Sequence, residues 1–298
     1  MKYIFFLVLL VHCMCAGSSL SNSEMSFLIT KLSAERSVHE AELEQILGSP
    51  IQSQLKREIA ESQFPLHHCA CWDDPASVEL LPSLIESTGN INAKDNNGET
   101  ALMALLRCDD KHTIESGERL LKKCFFLLKG GADGSIQDFS GTALHHAVSS
   151  PSRISLQLMR LLLIMQPALL NKYNTNGETP FLLLMHNYRN ADEGLLRVKM
   201  DELIKAGADI LACDMRGLNP LFAAIDTVNT SPVVRELAIH VVAKGRALVQ
   251  AARMRASQRR KESLVKTLDD VLQGNVSYKK RAYPTEWDAA LEELLQSV

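Results

Sequence analysis

The chain is 298 residues long, 46% hydrophobic and 22% charged, with a formal net charge of −3 at neutral pH. That balance is the composition of a globular chain with ample core, and beyond residue 18 no stretch reads as membrane-spanning. The charge is unevenly placed: residues 17–245 hold 21 basic and 28 acidic side chains, whereas residues 246–281 hold ten Lys or Arg against Glu262, Asp269 and Asp270.

Residues 1–18 open with Lys2, continue with the apolar run Tyr3 to Val11, and end in the small residues Ala16, Gly17, Ser18 and Ser19. This is the layout of a secretory signal peptide, with cleavage expected after Ala16, Gly17 or Ser18 and the mature protein periplasmic or secreted. The core falls short of the ~20 apolar residues that span a bilayer. Cys13 and Cys15 suggest a lipoprotein, but His12 and Met14 stand where a small residue is needed. In residues 19–61, Met25–Leu47 and Ile51–Ile59 read as helices interrupted by Gly48, Ser49 and Pro50, a cap shielding the open end of the region from residue 62 onward.

Five related phrases then recur: FPLHHCA at 64–70, TALMALL at 100–106, TALHHAV at 142–148, TPFLLLM at 179–185 and NPLFAAI at 219–225. Their apolar anchors are Leu66, Leu102, Leu144, Phe181 and Leu221. A second phrase precedes four of them: TGNINAKD at 88–95, GADGSIQD at 131–138, PALLNKYN at 167–174 and GADILACD at 207–214. Thr100, Thr142, Thr179 and Asn219 can each cap a helix, and Pro180 and Pro220 suit its first position. Gly98, Gly177 and Gly217 stand in turn contexts. Between the phrases run apolar stretches with helical spacing, at 77–87, 118–130, 155–165, 195–207 and 233–245. Each unit is therefore turn, inner helix, loop and outer helix, and neighbours must stack to bury both helices.

The phrases resemble the ankyrin repeat, with the match covering residues 62–245. The expected fold is all-α: a helix-turn-helix repeat solenoid of about five repeats with helical N- and C-terminal extensions. The first copy has Phe64 in place of the capping threonine, the third is one residue short between Asp138 and Thr142, and Met103, Leu182 and Phe222 replace the pattern's histidine. The long spacing assigns insertions to residues 108–118 and 186–195. The resemblance implies a concave face of turn tips and inner helices that binds another protein without catalysis. Its tip residues are Asn96, Asn97, Phe139, Ser140, Thr175, Asn176, Met215 and Arg216, and Phe139, Tyr173, Met215 and Arg216 are the expected energetic anchors.

From Arg246 to Gln273 no proline or glycine intervenes, which predicts one basic helical extension closed by Gly274, with its two ends packed on the last repeat. Residues 246–281 could alternatively dock an acidic partner or an anionic membrane; nucleic acid does not suit an exported chain. Thr285 and Asp288 form a capping-box-like pair, and Trp287, Leu291, Leu294 and Val298 line one side of a last helix that should fold back as a cap.

No phosphate-cradling glycine loop, HExxH or GxSxG elbow occurs, so no enzyme and no cofactor is expected. The cluster HHCAC, His67 to Cys71, puts His67 and Cys71 one turn apart, but Cys69 points away and the structural reading outweighs a metal site. Five cysteines lie beyond the signal: Cys69, Cys71, Cys108, Cys124 and Cys213. If one bridge forms, Cys71 and Cys108 are the pair on adjacent inner helices, while Cys213 sits exposed in a turn phrase. A monomer is expected. The competing function is a periplasmic redox or metal-buffering protein using Cys69, Cys71 and Cys213.

Overall fold

A short apolar phrase becomes a helix where something satisfies its first amides. In the computed structural model the side chain of Thr100 accepts from Met103 N at 3.4 Å, that of Thr179 from Leu182 N at 3.2 Å and that of Asn219 from Phe222 N at 2.9 Å. Phe64 offers no such oxygen, and its helix begins instead at Pro65. The structure describes residues 63–108, 113–186, 192–227, 231–276, 285 and 287–297, so the signal peptide expected at 1–18 and the cap expected at 19–61 lie outside the described residues.

The inner helices are α1 (Pro65–Cys71), α3 (Ala101–Arg107), α5 (Ala143–Ser149), α7 (Pro180–His186) and α9 (Pro220–Thr227). Their outer partners are α2 (Pro75–Ser87), α4 (Ile114–Lys129), α6 (Ser155–Met165), α8 (Glu193–Lys205) and α10 (Ser231–Val242). Each inner helix packs on the next inner one, and α2, α4, α6 and α8 pack in succession behind them. The anchors Leu66, Leu102, Leu144, Phe181 and Leu221 are all buried between the rows. The insertion expected at 108–118 is narrower than that range, because Thr113 caps α4 by accepting from Ser116 N at 3.2 Å and the helix begins at Ile114. Residues 109–112 lie outside the described ones.

Tight turns before the inner helices project as tips. In the second, fourth and fifth repeats the chain reverses through paired backbone bonds, Asp95 N to Glu99 O at 2.8 Å, Asn174 N to Glu178 O at 2.9 Å and Asp214 N to Leu218 O at 3.0 Å. Closing that reversal takes a left-handed residue, supplied by Gly98, Gly177 and Gly217 at φ of 77°, 72° and 74°. The third tip is one residue shorter, and Asp138 N bonds Gly141 O instead.

Two kinds of side-chain link join one repeat to the next. From the first to the second, His67 Nε2 donates to Glu99 O at 2.9 Å, and Lys123 of α4, only 2% exposed, donates to the carbonyls of Cys69, Ala70 and Trp72 at the end of α1. From the third to the fourth the pattern repeats: His145 Nε2 donates to Glu178 O at 3.0 Å, and Lys199 of α8 donates to Ala147, Val148 and Ser150 at the end of α5. The other two joints use an asparagine in a solvent-exposed bond, with Asn92 Oδ1 accepting from Asp133 N at 2.8 Å and Asn171 Oδ1 from Asp209 N at 2.9 Å.

Residues 246–273 are not one helix. The chain forms α11 (Arg246–Gln258) and α12 (Glu262–Gln273), with α11 packed on α9 and α10 and α12 packed on α10 and α11. The reversal is a Schellman closure: Lys261 N reaches Ala256 O at 3.0 Å, Arg260 N reaches Ser257 O at 2.9 Å, and Arg260 adopts φ 55°. Folding the segment in two buries Val249, Ala252 and Ala256 of one half together with Leu264, Leu268 and Val271 of the other. A straight helix would leave one of these stripes in water, a larger loss than the ~1–2 kcal/mol of a left-handed arginine. Much of the basic charge is met within the fold: Arg255 and Arg259 pair with Asp226, Arg253 pairs with Asp269, and Lys261 donates to Ile225 O.

The last helix, α13 (Asp288–Gln296), folds back on the outer helices α4 and α6 rather than over the end of the stack. Trp287 is 3% exposed, donates from Nε1 to Ile114 O at 2.8 Å and lies against Gly117, where a Cβ would overlap the indole ring. The buried Gln157 donates to Thr285 and to Asp288, and Arg160 donates to Asp288 at 3.1 Å. Thr285 N is capped by Asp288 Oδ2 at 2.9 Å.

Candidate protein-binding face

The same Asx geometry aims every tip. Asp95, Asp138, Asn174 and Asp214 each use Oδ1 to accept two backbone amides of their own turn, which turns the two following side chains outward. Asn96, Asn97, Phe139, Ser140, Thr175, Asn176, Met215 and Arg216 are accordingly all exposed, and so is Tyr173, which precedes Asn174. Phe139, Tyr173 and Met215 are 68%, 51% and 78% exposed, high values for large apolar side chains.

The tips are linked, not merely parallel. Thr175 Oγ1 donates to Phe139 O at 3.0 Å, Gln137 Nε2 donates to Tyr173 O at 2.8 Å, and Met215 leans back over Gly177. Phe139, Ser140 and Asn176 border one pocket of about 410 Å³ between the third and fourth repeats. Asn96 and Asn97 sit a repeat away and do not border it, and Asn97 turns its amide to Asp95. Arg216 is held to Asp214, Nε to Oδ2 at 2.9 Å, so its guanidinium is already partly engaged.

The pocket's inner residues include His145, His146, Asn174 and Glu178. His146 Nε2 donates to the buried Asp138 Oδ2 at 3.0 Å, and His186 Nδ1 donates to Glu178 Oε1 at 2.6 Å. Burial lowers the pKa of His146 against the opposing pull of Asp138, and burial likewise lowers that of His145, favouring neutral rings. Burial raises Glu178, but hydrogen bonds from Asn174 and His186 outweigh it and hold the carboxyl below its ordinary value. Sequence reasoning missed this pocket. Its signal was a spacing of eight, in which Glu99 faces Arg107, Asp138 faces His146 and Glu178 faces His186.

The cysteines are dispersed. Cys69 is buried, donates to Ser77 O at 3.2 Å and is raised to about 11 by burial; Cys124 is raised to about 12 by the same cause. Cys71 lies beside Cys108 with no disulfide between them, and the hydrogen bond they share pushes the Cys71 thiol upward. Cys213 is exposed four repeats from Cys69 and Cys71, so the three do not form one site. His67, the other member of the HHCAC cluster, is tied to Glu99 O. Among the described residues, Glu178, His186 and Asp214 bring three ligating atoms within 4.8 Å of one another. A metal there would have to displace the proton shared by His186 and Glu178 and the Arg216 guanidinium on Asp214.

No family model matches the chain, and no curated protein matches it. Among solved structures, an ankyrin repeat domain from Acinetobacter baumannii matches with a TM-score of 0.52 and 19% identity, over 70% of this chain and 98% of that one. The likeness agrees with the stacked helix pairs and projecting turns, and the fold is an ankyrin-type helical repeat stack.

Proposed function

We propose that the chain is an exported, non-enzymatic module that binds another protein through its turn tips and inner helices. The observation that supports it is the row of exposed large apolar tip residues, Phe139, Tyr173 and Met215, held rigidly by turns whose polar groups are satisfied internally. Rigid aromatic anchors bind with little loss of side-chain entropy, the property of interface hot spots. Export rests on residues 1–18, and protein recovered from its native cells should begin within Gly17 to Ser19; an intact Met1 would refute that part. Binding is tested by affinity capture with the wild-type chain against a Phe139→Ser, Tyr173→Ser, Met215→Ser variant of equal melting temperature. A partner retained equally by both would remove the tip surface from the reading.

A further inference from the structure

The pocket between the third and fourth repeats has a chemical bias that the row of tips alone does not reveal. None of the nine residues that line it is Lys or Arg, while Glu178 contributes a carboxylate and Asp138 stands directly behind His146. Each carboxylate oxygen of Glu178 holds a donor, His186 on Oε1 and Asn174 on Oε2, and Asn176 adds a third side-chain hydrogen bond; two oxygens that accept two each leave one position open. His146 gives its Nε2 proton to Asp138, which leaves Nδ1 as an acceptor in the neutral ring that burial favours. Arg107, the cation that acts on His146 from the neighbouring repeat, is itself paired with Glu99. The cavity therefore presents the Glu178 carboxylate and the His146 acceptor with no lining cation against them, and has at its edge the exposed ring of Phe139.

We infer that this pocket receives an arginine side chain of the partner protein. The volume of about 410 Å³ admits such a side chain, and the planar guanidinium can meet Glu178 and His146 while stacking on Phe139. An ammonium is a point donor and gains less from a flat ring beside a carboxylate. The inference rests on the protein-binding reading and gives the partner a chemistry.

The test titrates N-acetyl-arginine amide, and separately its neutral isostere N-acetyl-citrulline amide, into the isotopically labelled chain and follows amide shifts by NMR. The arginine probe should bind saturably, moving resonances of residues 138–146 and 174–178, and the citrulline probe should bind about tenfold more weakly or worse. Glu178→Gln should weaken the arginine probe about tenfold, and Phe139→Ala about threefold. Phe139 is exposed, so its variant carries the test if Glu178→Gln fails to fold. Equal binding of the two probes, or arginine shifts confined to other repeats, overturns the inference. A partner captured through the tips with no arginine binding would remove the pocket while leaving protein binding in place; arginine binding with no partner affected by the tips would do the reverse.

Discussion

The joints between the first and second and between the third and fourth repeats differ in kind from the two that alternate with them. In the former, a histidine crosses to the next repeat's turn and a buried lysine of the next outer helix satisfies the last carbonyls of the inner helix behind it. In the latter the turn-to-turn side-chain bonds are solvent-exposed ones, from Asn92 and Lys94 at one joint and from Asn171 at the other, open to competition from water. The sequence carries the same alternation, with His67 and His145 in the odd repeats and Lys123 and Lys199 in the even ones. Lys261 extends it by reaching Ile225 O in the fifth repeat from the adjoining C-terminal helix pair. Each joint of the exposed kind gains an added brace on its outer side. Helix α13 straddles α4 and α6 at the joint of the second and third repeats, and Arg197 pairs with Glu236 across the joint of the fourth and fifth. Stability of a stack is a sum of repeat and neighbour terms, so a weak neighbour term must be strengthened or the stack divides there.

The largest expected effects come from removing those braces. Arg197→Met leaves Glu236, 6% exposed, as a buried carboxylate without its guanidinium and should cost about 3–5 kcal/mol in urea unfolding. Trp287→Ala should cost about 3 kcal/mol by emptying the seat against Gly117. Hydrogen exchange locates the damage: amides of α4 and α6 should open first in the tryptophan variant, and those of α8 and α10 in the arginine one. Uniform loss of protection in both would mean that the stack is one cooperative block and that the contrast between joints has no energetic consequence.

Next in size are the lysines. Lys199→Met keeps the apolar stem and removes the ammonium that serves three helix-end carbonyls, for an expected loss of about 2 kcal/mol, with Lys123→Met similar. Asn171→Ala, at an exposed joint, should cost about 0.5 kcal/mol by the same measurement. Equal losses would erase the distinction between the two kinds of joint.

A pH titration separates the joints without mutation. Burial lowers the pKa of His67 and His145, which bridge the histidine joints, and of His146 beside them, each from an ordinary 6.5. The unfolded chain then binds protons that the native rings resist, so stability is full above about pH 6.5 and falls as the pH drops through and below that value. Glu178 and Asp214, whose folded values are lowered from 4.5 and 3.8, lose their contribution only in more acid solution. Between pH 7 and 5 the melting temperature should therefore fall, and His145→Gln should flatten that fall. A pH-independent melting temperature over this window would contradict burial of neutral rings at these joints.

How much of the fold was legible depended on whether the signal was local. Anchors, caps and left-handed glycines announce themselves within a few residues, so the repeat helices follow from the chain. The break at Arg260 was hidden because an arginine, not a glycine, takes the left-handed position, and only the burial of Leu264 and Leu268 against the preceding helix pair decides it. Nothing local in the sequence marks Lys123 and Lys199 as buried, because their partners lie more than 48 residues away. The tips were readable as exposed turns, but the pocket beside Phe139 needed the pairing of Asp138 with His146 and of Glu178 with His186, which exists only once the turn folds over the inner helix.

The smallest effect on folding belongs to the tips, and it connects the joints to recognition. Met215 and Arg216 stand at the fourth-to-fifth joint, 78% exposed in the first case and with a side chain 68% exposed in the second. Neither supplies the buried bond of that joint, which Arg197 makes to Glu236, and the Asp214 Oδ1 bonds that shape the tip come from backbone amides. Replacing both by alanine removes the Arg216 contact to Asp214, a solvent-screened pair, and the methionine's cover over Gly177. The expected change in unfolding free energy is within about 0.5 kcal/mol, with the hydrogen-exchange order of the repeats unaltered. Partner affinity should fall at the same time, since the lost surface lies on the proposed contact. A drop in stability comparable to that of Lys199→Met would instead show that the tips brace the exposed joint, and that their apolar exposure serves folding before it serves binding.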